Sequence, residues 1–207
     1  MFMELLDGLR CISEHPSIAL VTAITKRDER FVIEGTAGCP TCRREYPIHR
    51  GIAWFGSARE PAELMPETLP DDNDGVTRVG AFLAVSDGIT VALVGDWATY
   101  APSLAGMVAL RVFAVNPRVA VEESETVGVL YSDNRLPFAD GSLRGIAIGD
   151  AGWSHHDVKM AARVLASGGR MVGPAALRLP DDIEEIARDD SIWIGEKRGP
   201  LVTLHRR

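Results

Sequence analysis

The sequence predicts an α/β chain: a doubly wound, mostly parallel sheet preceded by a small β module. Three observations carry that prediction. From residue 76 onward, strand-like and helix-like segments alternate. The strands among them are short and apolar on both faces, as in a parallel sheet covered by helices. Residues 1–55 instead hold two β-branched runs that lead into a C-x-x-C pair. Between the halves, residues 56–75, "GSAREPAELMPETLPDDNDG", are rich in Pro, Asp and Glu without a sustained period, and read as a linker.

In chain order, "MELLDGLR" is a short helix-like lead-in to Cys11. "SIALVTAITKRD" and "ERFVIEGTA" are split by the polar turn "KRDE" and predict a hairpin. "YPIHRGIAWF" adds a short extended stretch. In the second half, "TRVGAFLAV" predicts a helix, "ITVALVGDW" a strand, "YAPSLAGM" a short helix and "ALRVFAVNP" a strand. "TVGVLYSD" and "RGIAIGDA" predict strands, "HHDVKMAARVLAS" a helix and "GRMVGPAAL" a strand. "PDDIEEIARD" predicts a last helix, followed by "SIWIGEK" and "PLVTLHRR" as a closing hairpin. That hairpin implies one antiparallel strand at or near the end of the sheet.

With 46% hydrophobic residues over 207, the chain can bury a sizeable core. A net charge of −7 argues against nucleic acid as the partner, since such proteins carry a basic stripe. Arg43, Arg44, His49 and Arg50 form a local basic cluster that reads as a solvated turn. No apolar run is long enough for a membrane span of roughly 18 residues. Three cysteines, two of them close together, argue against a disulfide scaffold and predict a reducing, cytoplasmic setting.

"GCPTCRREYPIHRGI" reads as half of a zinc ribbon, because Cys39 and Cys42 can grip one tetrahedral ion. Cys11 precedes the pair across the predicted hairpin, which returns the chain to the same place. "CISEH" puts His15 beside it, with Glu14 as a weaker candidate because structural zinc favours sulfur and nitrogen. The expected ligands are therefore Cys11, His15, Cys39 and Cys42, with His49 able to approach. The alternative is a ribbon that has lost its metal and keeps its fold by packing.

"LLDGLRC" followed by "CPTCRREYPIHRGI" resembles the small zinc-ribbon family that activates tRNA and translation-factor methyltransferases, and its short bacterial relatives. The resemblance covers about residues 3–55. It departs at "CISEH", where the family has C-P-x-C. That family covers hydrophobic surface on a methyltransferase through β-strand pairing, so the resemblance implies a protein partner, self-association, or packing against the chain's own second half.

"LPFADGSLRGIAIGD" and "AARVLASGGRMV" resemble segments of class I S-adenosylmethionine-dependent methyltransferases, over about residues 76–207. That resemblance implies a Rossmann-like domain with cofactor contacts at Gly95, Asp96, Asn116, Asp133 and Asp150. Two of those contacts are altered. "VGDWATYAP" puts Asp96, Trp97 and Thr99 where the family has small residues around its glycine turn, and Trp97 could fill the cofactor's volume. Asn116 stands where an acid usually holds the ribose, and a neutral amide holds a hydroxyl less strongly. Asp133 matches the adenine contact, or alternatively caps a turn. His155 and His156, in "WSHHD", could be bases or ligands but read as a capped, exposed helix start.

These readings predict a non-catalytic pseudo-methyltransferase domain, residues 76–207, joined to a zinc-ribbon-like module, residues 1–55. It would act as a protein-binding, scaffold or regulatory subunit. The alternatives are an active methyltransferase with an atypical cofactor loop, and a binder of another nucleotide-like small molecule.

Overall fold

The computed structural model describes residues 1–56, 73–133, 135–149 and 152–199. A four-residue helix, α1 (Met3–Leu6), opens the chain. Two hairpins follow: β1 (Val21–Asp28) with β2 (Phe31–Gly38), and β3 (Glu45–His49) with β4 (Ile52–Phe55). The second turns on Arg50 and Gly51, with φ of 51° and 85°. Two consecutive positive φ values mark a type I′ turn, whose twist suits the flanking strands.

The second half contains α2 (Asn73–Leu83), β5 (Thr90–Val94), a 3₁₀ turn (Gly95–Tyr100), α3 (Ala101–Met107) and β6 (Arg111–Val115). It continues through β7 (Val127–Ser132), β8 (Leu143–Ile148), α4 (His155–Val164), β9 (Leu165–Pro174), β10 (Ile183–Arg188) and β11 (Ile192–Lys197). Among the described residues, no helix is long and apolar enough to cross a membrane.

Among the described residues, eleven strands share one sheet, ordered β1-β2-β3-β4-β7-β6-β5-β8-β9-β11-β10. The run β7-β6-β5-β8-β9 is parallel and doubly wound: the chain steps outward from β5 to β7, then crosses back to add β8 and β9. The topological switch therefore lies between β5 and β8, where such sheets open a crevice at their carboxyl ends. Alternate strand residues feed two cores. Val91 and Leu93 face α2 and α3, while Ala92 and Val94 belong to the core that includes α1 and α4.

Three expectations need correction. The sheet is mixed, not mostly parallel: the β1–β2, β2–β3, β3–β4, β9–β11 and β10–β11 ladders are antiparallel. The predicted helix "PDDIEEIARD" is largely β10. Its isoleucines, three apart, mimic a helical face, but Ile183 is buried while Ile186 is 49% exposed. The α4 helix stops at Val164, where "LAS" was expected to continue it. Lys197 of β11 donates to the Ala162 and Leu165 carbonyls at 2.7 and 2.9 Å, capping the helix from outside. "PLVTLHRR" and most of the expected linker lie outside the described residues.

Residues 1–55 and 76–207, expected as module and domain, meet in this sheet through parallel pairing of β4 with β7. The N-terminal segment also lies across the core, with Leu5 and Leu9 each 1% exposed. Burying a side chain of that kind contributes roughly 1.5–3 kcal/mol. Met1 is fully buried, and its ammonium donates to the Val32 carbonyl (3.1 Å) and to Glu123 Oε2 (3.2 Å). The other Glu123 oxygen accepts from the Val129 N–H of β7 (3.3 Å), so one carboxylate ties the start of the chain to the parallel core.

Candidate functional site

Cys11 and His15 come from the loop after α1, and Cys39 and Cys42 from the turn between β2 and β3. Their ligand atoms all lie within 4.8 Å of one another. Cys11 Sγ is 3.6 Å from Cys42 Sγ, and Cys39 Sγ is 3.3 Å from His15 Nε2. A tetrahedron with ordinary zinc–sulfur and zinc–nitrogen bonds has edges of about 3.8 and 3.5 Å, which these two separations approach, so the cluster could hold one ion after small adjustments. His15 Nδ1 lies 2.8 Å from the Pro16 carbonyl, so the tautomer that donates there leaves Nε2 free to ligate.

The surroundings favour thiolate at Cys11 and Cys42. The Ser13 N–H donates to Cys11 Sγ (3.4 Å) and the Cys42 N–H to Cys39 Sγ (3.5 Å). The Tyr46 hydroxyl lies 3.1 Å from Cys11 Sγ and accepts from the Ile12 N–H (3.2 Å). Hydrogen bonds from Ser13 and the Arg44 backbone lower the exposed Cys42 thiol to about 6. Burial pushes the Cys39 thiol up. For Cys11, burial raises the thiol, but hydrogen bonds from Ser13 and Tyr46 outweigh it and the net shift is downward. The Pro16 carbonyl and the nearby thiols raise the His15 imidazole to about 9. A bound metal would take the place of the protons these groups hold.

Glu14 is exposed and outside this group, and His49 is turned away, with Nδ1 2.8 Å from Glu34 Oε2. Sequence reasoning missed Ser13 and Tyr46. Tyr46 was visible in the Y-P-I motif, but nothing local says that its hydroxyl reaches back to Cys11. It also missed Arg135, whose Nη1 donates to the Ile12 carbonyl (2.7 Å) and holds the Cys11 loop against the second half.

The second candidate region is the set of carboxyl strand ends beside the switch. Gly95 follows β5 with a φ of 67° and starts the 3₁₀ turn. Asp96 is exposed and pairs with Arg118, at 3.2 Å. Trp97 is half-buried against the core under α2 and α3. Asn116 ends β6, but its side chain turns along the sheet: Nδ2 donates to the Ser132 carbonyl and Oδ1 accepts from the Ser132 N–H, both at 2.8 Å. The Asp133 carboxylate lies over Gly56, where a Cβ would overlap it. Asp150 lies outside the described residues.

Between β5 and β8, the Gly149 N–H donates to the Val94 carbonyl (3.0 Å). A Cβ at Gly149 would sit 3.0 Å from both that oxygen and the Asp96 nitrogen, so the two strand ends are in close contact. His155 Nδ1 accepts from the Arg178 N–H (2.7 Å), and Ser154 and Asp157 form a capping box ahead of α4. His156 is exposed. Two cavities lie at the opposite, amino end of the sheet. One of about 250 Å³ is lined by Thr90, Arg111, Phe113 and Phe138. An open groove of about 630 Å³ is lined by Asp140, Lys159, Arg163 and Lys197.

No family model and no curated protein matches the chain. Among solved structures, it is similar to a complex of the Haloferax volcanii Trm112 methyltransferase activator with a candidate methyltransferase. That match has 25% identity and a TM-score of 0.41, over 47% of this chain and 50% of that one. A Haemonchus contortus phosphoethanolamine N-methyltransferase, complexed with phosphomonomethylethanolamine and S-adenosylhomocysteine, matches at 17% identity and a TM-score of 0.42. It covers 54% of this chain and 31% of that one. A candidate S-adenosyl-L-methionine-dependent methyltransferase from Methanococcus maripaludis matches at 14% identity and a TM-score of 0.45, over 62% of this chain and 85% of that one. The matched region thus spans half or less of the first two of these chains.

Proposed function

We propose that the protein is a non-catalytic, methyltransferase-like subunit with a built-in zinc ribbon, working through protein contacts. Residues 1–55 would form the ribbon, with zinc held by Cys11, His15, Cys39 and Cys42 in a structural role. The ribbon family resembled in sequence covers a methyltransferase by strand pairing. Here the pairing of β4 with β7 supports the same arrangement within one chain. The three thiols suit a reducing, cytoplasmic setting.

The observation that carries the non-catalytic reading is the double hydrogen bond of Asn116 to Ser132. At the position where a cofactor ribose would be held, both polar atoms of the side chain are already engaged by the neighbouring strand. The pairing of Asp96 with Arg118 supports it further.

Calorimetric titration of the zinc-loaded protein with S-adenosylmethionine and S-adenosylhomocysteine tests this reading. The expected result is no binding heat up to about 1 mM ligand, the weak end of specific affinity. Stoichiometric micromolar binding would replace it with the active-enzyme reading, in which Gly95, Asp96, Asn116, Asp133 and Asp150 line the pocket. Binding of a nucleotide alone would favour a recruited small-molecule site.

A further inference from the structure

The outer edge of the sheet at β1 has features that a solitary strand edge normally avoids. Seven of its eight residues are exposed, on both faces, and only Thr22 is half-buried. Val21 is 67% and Ile24 37% exposed. Val21–Thr25 reads V-T-A-I-T: five uncharged residues, four of them β-branched, without proline. Such a run presents a template of backbone donors and acceptors for another strand. The usual guards are confined to the far half of the strand, where a bulge at Thr25 is followed by Lys26, Arg27 and Asp28. The opposite edge, β10, is guarded along its length: Glu184, Glu185 and Arg188 make half of its six residues, and a bulge interrupts its pairing.

We infer that the Val21–Thr25 edge is a self-association edge, at which two copies of the chain pair antiparallel about a two-fold axis. Charge selects the second copy as occupant. Residues 1–56 carry seven basic and seven acidic side chains, so the net −7 resides entirely in the remainder. Two copies meeting through β1 join neutral ends and keep their acidic halves apart. The strand is also self-complementary. With Ala23 opposite its own copy, Thr22 faces the partner's Ile24, and the regular ladder ends where Val21 meets the partner's bulged Thr25. The two Lys26 side chains then lie about 20 Å apart along the pair, well beyond the screening length of about 8 Å. A two-fold pair is closed, whereas pairing of β1 with β10 of the next copy would propagate into open polymers. A ladder this short falls below a standard interface, so the dimer is weak and forms in the micromolar range or above. None of this depends on whether the strand-end cleft binds a cofactor.

Sedimentation velocity of the zinc-loaded chain, from about 5 to 500 µM, is the test, spanning weak-dimer concentrations. The wild type should move from the monomer mass of 22.4 kDa towards twice that value. Ala23→Lys and Ala23→Glu each place like charges directly opposite across the axis. Each should stay monomeric when alone, with an unchanged melting temperature, and an equal mixture of the two should regain the dimer. A wild type that stays monomeric, variants that associate as well as wild type, a mixture without rescue, or growth beyond the dimer would each overturn the inference.

Discussion

The Cys/His cluster and the carboxyl strand ends are both built from loop and turn residues at element boundaries, yet their polar groups behave in opposite ways. In the cluster, four candidate ligands from two distant segments converge to within 4.8 Å, with N–H donors turned toward two of the sulfurs. At the strand ends, Asp96 pairs with Arg118 and Asn116 with Ser132, while the Asp133 carboxylate lies over Gly56. Convergence suits the cluster to an external ion, whereas Asp96 and Asn116 are paired with neighbours within the chain. A side chain's position in a fold therefore says less about function than where its donors and acceptors point.

The largest expected effect comes from breaking the convergent side. Cys39→Ser should lower zinc from about one per chain to near zero and drop the melting temperature by about 10 °C or more, corresponding to roughly 4 kcal/mol. Elemental analysis and calorimetry check this together, and a chelator should reproduce it on the unmodified chain. Unchanged zinc and stability would remove the metal centre from the comparison.

A middle effect is expected from Asn116→Ala, which strips two hydrogen bonds from the end of β7. The cost is about 2 kcal/mol, or about 4–8 °C in thermal denaturation. Loss of that size identifies the amide as a structural clamp. Full stability would leave the side chain available to a ligand and weaken the contrast. The smallest effect is expected from Asp96→Ala. Its partner Arg118 is 54% exposed and Asp96 itself 57%, so the pair contributes below about 0.5 kcal/mol. A shift as large as that of Asn116→Ala would mean that the turn after β5 is held far more tightly than this surface pair allows.

Much of this organisation is legible in the residues. The β-branched runs on either side of "KRDE" form β1 and β2, and the apolar strands from Thr90 onward form the parallel core. The C-x-x-C pair, with Cys11 and His15 across one hairpin, is a local pattern closed by a predictable return of the chain. Less legible is "PDDIEEIARD", where isoleucines three apart suggest a helix until pairing with β11 makes a strand. Asn116 is the sharper case. Its place at the end of β6 follows from the sequence, but its φ of 51° and the direction of its amide follow from Ser132 on the next strand.

By itself, then, the sequence determined the order of most strands and helices along the chain and the identity of the four candidate ligands. Periodicity, turn chemistry and ligand spacing act between near neighbours or across a single hairpin. The tertiary structure alone decided that β4 joins the parallel core at β7, that Met1 is locked to Glu123, and that the Asn116 amide turns onto Ser132. Those outcomes depend on ladders and ion pairs between residues up to 122 positions apart. Their partners are chosen only when the whole sheet closes around its core.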